Sequence, residues 1–176
     1  MENNTVTAYV GIGSNLGDRA GNLILAIRGL IEASLEVTKL SAIYETEAVG
    51  MEDAPNFLNM VAEVNAGIIS PTQMMARMLR IEYLLGRKDK SQNLPRTIDL
   101  DLLFYGNLRL DTPFLTLPHP RVHLRNFVLV PMNEIAPDFV HPTKKKYIRD
   151  LVGVSKDRCR VVRWNPMNPN GAETRV

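Results

Sequence analysis

Apolar and polar positions along the chain fall into segments of clear period. The run "TVTAYVGIG" (5–13) predicts a strand, and in "DRAGNLILAIRGLIEAS" (18–34) Leu23, Ala26, Ile27, Leu30 and Ile31 recur at helical spacing. "VTKLSAIYET" (37–46) and "FLNMVAEVNAG" (57–67) predict two more strands; in the second, Leu58, Met60, Ala62 and Val64 alternate with Asn59, Glu63 and Asn65. "SPTQMMARMLRIEYLLG" (70–86) opens on a Ser70-x-x-Gln73 capping box with Pro71 at the first helical position and closes on Gly86, so it is the best-defined helix. A further strand in "PRTIDLDLLFYG" (95–106) completes a βαββαβ order. That order predicts an α+β sandwich of antiparallel sheet with helices packed on it. Beyond residue 110 follow Pro-rich loops, a short helix near Phe127 to Ile135 and a C-terminal extension ending in "NPMNPNGAETRV", whose composition is that of disorder. One domain is therefore drawn over 1–160, with 161–176 as a poorly ordered polar tail.

The last of these strands breaks the pattern that predicts it. Ile98, Leu100 and Leu102 share one face, while Asp99 and Asp101 project from the other, roughly 6–7 Å apart at ~3.3 Å per residue. Two like charges on one face repel. Acids suit an edge strand that meets water. They also suit Mg²⁺, a hard cation that takes one or two carboxylates and leaves its other positions to water and phosphates.

Two connections are longer than a compact domain needs. "EAVGMEDAPN" (47–56) carries acids, Gly and Pro; "RKDKSQNLPRT" (87–97) carries Arg87, Lys88, Lys90 and Arg96 and runs into Asp99. Cations beside paired acids are what phosphoryl transfer requires, with metals on the carboxylates and guanidiniums on the uncovered oxygens. Glu82 is a second anomaly. It falls within the apolar arc of the 70–86 helix made by Met74, Met78, Ile81 and Leu85, near the C-terminal end where the dipole disfavours an anion. Snorkelling to the rim or pairing with a buried Arg, on one side, and a ligand-binding role, on the other, fit it equally.

"GIGSNLGDR" (11–19) spaces its glycines at 11, 13 and 17 and lacks Gly-Lys-Ser/Thr, so it reads as a tight strand-to-helix turn rather than a nucleotide fingerprint. Gly11 leaves room for another molecule to approach the backbone. In "LPHPRVHLRNF" (117–127), His119, Arg121, His123 and Arg125 crowd one loop, consistent with a solvated basic segment or an anion site. The histidines and the single cysteine have no zinc-ligand spacing.

Composition narrows the classes. The chain has 176 residues, 45% of them hydrophobic, enough for one domain with a substantial core. Its 21 Lys and Arg against 19 Asp and Glu give little of the field expected of a dedicated nucleic-acid binder, so any basic function is local. One cysteine, Cys159, excludes an intramolecular disulfide framework; "MENNTVTAYV" has no signal-peptide pattern, and no apolar run has membrane-spanning length. A cytoplasmic location is expected.

Four segments together carry a family resemblance. "AYVGIGSNLGDR", "PNFLNMV", "LPRTIDLDLL" and "LPHPRVHLRNFVLVPMNEIAP" are similar, in the same order and spacing, to 6-hydroxymethyl-7,8-dihydropterin pyrophosphokinase of folate biosynthesis, over roughly residues 7 to 142. The resemblance implies a ferredoxin-like βαββαβ core and transfer of pyrophosphate from ATP to the pterin hydroxymethyl group, with release of AMP. It implies that Asp99 and Asp101 hold two Mg²⁺ ions and that Arg87, Arg96 and His119 contact nucleotide phosphates. Arg125 then lies in the same basic site, and Glu82 matches a family acid of the ATP site. Arg87 and Arg96 join the two aspartates as the catalytic set. Phe57 and Phe127 are implied to sandwich the pterin, Asn59 to read its polar edge, and backbone around Thr46 and Val49 to assist. The partners implied are small molecules only, with neither nucleic acid nor membrane, and the chain is expected to be a monomer.

Departures from the family pattern are specific. The loop before the aspartates reads "SQNLPR", without the usual Trp and with Leu94 where Gly is common; Pro120 replaces the aromatic that often follows the histidine. No His or Lys is placed by sequence as a general base. The alternative from another class is a βαββαβ RNA-binding module, but that wants basic and aromatic residues on its third strand, where this chain has "FLNMVAEVNAG".

Overall fold

A computed structural model describes residues 5–48, 54–87 and 94–167. Strand β1 (Thr7–Ser14) runs between β4 (Phe57–Asn65) and β5 (Asp99–Tyr105), antiparallel to both. Its even positions Ala8, Val10 and Ile12 are buried with Leu58, Met60, Ala62 and Val64 of β4 and with Leu100 and Leu102 of β5. Two helices cover this face, α1 (Arg19–Glu32) through Leu23, Ala26 and Leu30, and α2 (Pro71–Leu84) through Met74, Met78 and Ile81. The capping box forms as read: Gln73 N–H donates to Ser70 Oγ at 3.3 Å and Ser70 N–H to Gln73 Oε1 at 2.9 Å. Asp18 caps α1 through Gly21 N–H at 3.0 Å.

The run 37–46, read as one strand, is two. β2 (Glu36–Leu40) and β3 (Tyr44–Thr46) pair in turn with the two ends of β4. The break falls at Ser41, whose N–H donates to Val61 O and whose Oγ accepts from Val61 N–H, each at 2.9 Å. The side chain thus satisfies a ladder donor where the backbone has left the sheet.

After β5 come the short strands β6 (Leu110–Asp111) and β7 (Thr116–Leu117) and a 3₁₀ turn at Val122–Leu124. Next are α3 (Asn126–Ile135), α4 (Ile148–Val154) and β8 (Val161–Arg163). β8 pairs with β3, so the boundary drawn at residue 161 falls inside ordered structure; Trp164 packs against the first core and its backbone N–H donates to Ile43 O at 2.8 Å. The resulting strand order is β5-β1-β4-β3-β8, with β2 also beside β4. α3 and α4 build a second core on the opposite sheet face, with Val128, Leu129, Met132, Ile148 and Leu151 around Tyr9, Val61, Leu103 and Phe104. A register shift between Tyr9 and Val10 gives β5 an extra residue, so Leu103 and Phe104 both join this core. Among the described residues no helix is long and apolar enough to cross a membrane.

Candidate active site

The second core stops short of the upper end of the sheet. There β1 offers Gly11 and Gly13, which pair with Val61 and Asn59 of β4 on one side and with Asp101 and Asp99 of β5 on the other. Without side chains they form the floor of a cavity of about 640 Å³. A Cβ on Gly13 would stand 2.8 Å from Asn59 Oδ1, so the floor is fitted to its neighbours.

On one side of this floor lie the acids and cations. Asp99, Asp101, Arg87, Arg96 and Arg125 line the cavity. Asp99 is ion-paired with Arg87 through Oδ1 and with Arg96 through Oδ2, the latter at 2.8 Å. Arg87, its side chain 6% exposed, is held from behind by Glu82 at 3.0 Å. The Nε groups of Arg87 and Arg96 are buried with no hydrogen-bond partner among the described residues. Burial, with Arg121 nearby, pushes Arg125 below the ordinary arginine range, while Asp101 and Asp99 pull it back up.

On the other side are the rings and amides. Phe57 and Phe127 line the cavity with Thr46 and Asn59. Asn59 is buried and its Nδ2 donates to Thr46 Oγ1 at 2.7 Å. The Arg96 guanidinium lies 5.1 Å from the Phe57 ring centroid and that of Arg125 5.2 Å from Phe127, so each ring carries a cation on its face.

Three residues stand apart from the expectation. Glu82 does not line the cavity: it is 2% exposed, accepts from Leu100 N–H at 2.7 Å and anchors Arg87, so its apolar-arc position is explained by a buried pair. His119 sits at the edge, its Nε2 4.0 Å from Asp101 Oδ2, and lines a neighbouring groove with His123 and His141. Val49 lies outside the described residues, as do Lys88 and Lys90 of the loop before Asp99. The loop 117–127 alternates sides, Arg121 and Arg125 facing the cavity and His123 the groove.

Two polar residues of "GIGSNLGDR" have roles that their sequence did not announce. Asn15, 1% exposed, accepts from Arg96 N–H at 2.8 Å and donates from its backbone N–H to Arg96 O at 3.1 Å and from Nδ2 to Pro55 O at 3.1 Å. Arg19 reaches Glu45 and Asn56 O, both at 2.7 Å. The turn therefore fixes the backbone of Arg96 and the residues leading into Phe57. Asn and Arg in a Gly-rich turn look like turn chemistry, and only the fold reveals their partners.

The donor set suits a hard divalent cation with phosphates. Two carboxylates face one cavity above glycines, which fits a magnesium that keeps most of its positions for water and substrate oxygens. No group of three or more His, Cys, Asp or Glu among the described residues forms an all-protein metal cage. The buried, unpaired guanidinium N–H groups suit an anion in the same place.

Comparison with known proteins gives a consistent picture. The model of the family 7,8-dihydro-6-hydroxymethylpterin-pyrophosphokinase matches residues 9–137. A 2-amino-4-hydroxy-6-hydroxymethyldihydropteridine pyrophosphokinase of Aquifex aeolicus is 37% identical over 145 residues, 82% of this chain and 89% of the relative. The enzyme of the same name from Bacillus subtilis is 43% identical over 129 residues, 73% of this chain and 77% of its own. Among solved structures, Plasmodium falciparum HPPK-DHPS with pteroate aligns with a TM-score of 0.69 at 17% identity, over 87% of this chain and 43% of that one. At that identity the likeness is one of fold.

Proposed function

The chain belongs to the 7,8-dihydro-6-hydroxymethylpterin-pyrophosphokinase family, and from that premise we propose that it transfers pyrophosphate from ATP to the hydroxymethyl group of 6-hydroxymethyl-7,8-dihydropterin in folate synthesis, releasing AMP. It is an ATP-dependent diphosphotransferase of the kind its relatives are named for. One observation carries the residue-level reading: paired carboxylates, guanidiniums and two phenylalanines meet over a glycine floor in a single cavity. The ferredoxin-like description of the core is supported by the strand order and by the antiparallel β1–β4 and β1–β5 pairings.

In this proposal Asp99 and Asp101 hold two magnesium ions, which when bound supply neutralisation of the triphosphate charge. Arg87 and Arg96 bind phosphate oxygens, with His119 at the rim and Arg125 on the same basic side. Phe57 and Phe127 receive the pterin between their faces, which requires Arg96 and Arg125 to leave the rings they cover. Asn59 presents its amide to the ring edge from a side chain already fixed by Thr46. The protein's contribution is then positioning and preset charge rather than covalent chemistry. Family membership does not favour the RNA-binding alternative. A cytoplasmic monomer stands as part of the proposal.

The test is direct. Incubation with ATP, Mg²⁺ and the hydroxymethyl dihydropterin should release AMP in step with pterin consumed. Release of ADP, or nucleotide turnover indifferent to the pterin, would overturn the reading.

A further inference from the structure

The helix that carries Phe127 begins without a cap of its own. Position 125, at the start of α3, is an arginine, and no side chain from that residue bonds to the first N–H groups. Such donors need a partner from elsewhere. It comes from 31 residues further along: Asp157 Oδ2 accepts from Asn126 N–H at 2.7 Å, and Asp157 O accepts from Asn126 Nδ2 at 2.9 Å. Asp157 is itself fixed, since Oδ1 accepts from Cys159 N–H at 2.9 Å and its N–H donates to Ser155 Oγ at 3.2 Å.

Asp157 also lines the cavity beside Arg125 and Phe127. A few residues on, the same segment becomes β8, where Val161 pairs with Thr46 at the end of β3. Thr46 is the residue that fixes the Asn59 amide. One segment thus touches both walls of the ring-binding half of the cavity. Arg87 and Arg96, by contrast, take their partners among the described residues from α2, β5, the Phe57 ring and residues 15, 94 and 98, none of them in this segment.

We propose that Asp157 is a positioning residue for the pterin: its carboxylate supplies the missing cap of α3 and so sets where the Phe127 ring stands opposite Phe57. This rests on the proposed function. An anion at a helix N-terminus is favoured by the dipole and by a charge-assisted bond to the free N–H. Removing it frees the first turn of α3 and with it Arg125, but Arg87 and Arg96 stay anchored elsewhere, so the effect should fall chiefly on the pterin.

Steady-state AMP release by the full chain tests this with Asp157→Ala, Asp157→Asn and, as a control in the same layer, Ile148→Val. Asp157→Ala should raise the KM for the dihydropterin about tenfold with the KM for ATP within twofold. Asp157→Asn keeps one acceptor for Asn126 N–H and should recover part of the loss. Ile148→Val, buried in the second core away from the cavity, should lower the melting temperature and leave both KM values alone. An unchanged pterin KM in Asp157→Ala, a matching rise for ATP, or the same rise in Ile148→Val would overturn the assignment. If the wild-type chain releases no pterin-dependent AMP, the proposed function falls first; an active wild type without the split removes Asp157 alone.

Discussion

Gly13→Ala separates the floor of the cavity from its stability. The added Cβ would stand 2.8 Å from Asn59 Oδ1 and 3.6 Å from Phe57 Cδ1. The second distance is ordinary contact; the first is not, and one group must move. Asn59 is 7% exposed and bonded to Thr46 at 2.7 Å, so moving it costs that hydrogen bond together with an off-rotamer side chain. Each is worth about 0.5–1.5 kcal/mol, which gives about 1–3 kcal/mol together. Against this, Ala in a strand recovers about 0.5–1 kcal/mol relative to Gly through the unfolded chain. The fold should therefore lose about 0–2.5 kcal/mol, while an amide displaced from the ring edge should weaken pterin binding roughly 5- to 150-fold. MgATP binding should be unaffected. Gly11→Ala adds a Cβ to the same floor but meets only Leu103, with Cδ2 at 3.4 Å, so it separates displacement of Asn59 from mere filling of the floor. Calorimetric titration with a pterin analogue and with a non-hydrolysable MgATP analogue reads both affinities, and thermal melting reads the fold. Wild-type pterin affinity in Gly13→Ala, or equal losses for the two ligands, would show that the ring does not lie over this floor.

Asp101→Asn should cut AMP formation by two to three orders of magnitude or more, several kcal/mol of barrier, with the melting temperature little changed; near-normal turnover at saturating Mg²⁺ refutes the ligand role. Glu82→Gln leaves a guanidinium buried beside one carboxylate instead of two, so urea denaturation should show a loss toward the lower end of the ~3–5 kcal/mol typical of a broken buried pair. A loss below ~1 kcal/mol would mean that Glu82 does not anchor Arg87. His141 predicts an acid-side decline. Burial, then His123 and Lys144, push its pKa down to about 4, and its Nδ1 accepts from Thr143 and Lys144 N–H, both at 3.3 Å. Above the unfolded value of ~6.5 both states are neutral; between there and about 4 only the unfolded chain takes the proton. Stability is thus present above ~6.5 and falls by about 2–3 kcal/mol toward pH 4. His141→Asn keeps an acceptor without the titration and should flatten that slope in urea melts; parallel slopes for the two proteins would refute it.

What the sequence disclosed follows from range. The helices, the capping box and the two-faced strand at Asp99 rest on residues within one or two turns of each other, and all appear in the structure. The features it hid depend on partners far away. The break at Ser41 is set by Val61, the cap of α3 by Asp157, and the backbone of Arg96 by Asn15, at separations of 20, 31 and 81 residues. Glu82 was half legible: its misfit in an apolar arc was visible, but the choice between ligand and buried partner depended on where Arg87 folds back.

The paired acids can share a strand because Asp99 is answered locally. At roughly 6–7 Å, two carboxylates repel by about 2–3 kcal/mol at an effective dielectric of 20, whereas one guanidinium at 2.8 Å attracts by about 6 kcal/mol on the same scale before desolvation is counted. Asp99 has two such partners, Arg87 and Arg96. The same guanidiniums are those proposed for the phosphates, so on that proposal nucleotide arrival would be an exchange rather than an addition: the arginines would pass from carboxylate to phosphate and leave Asp99 available to hold magnesium. Charge is conserved on both sides of that exchange, and no charged group need be left uncompensated in a half-buried cavity. An enzyme that held its aspartates bare would face their repulsion whenever it was empty. This one keeps Asp99 neutralised with the guanidiniums proposed to bind the substrate's phosphates.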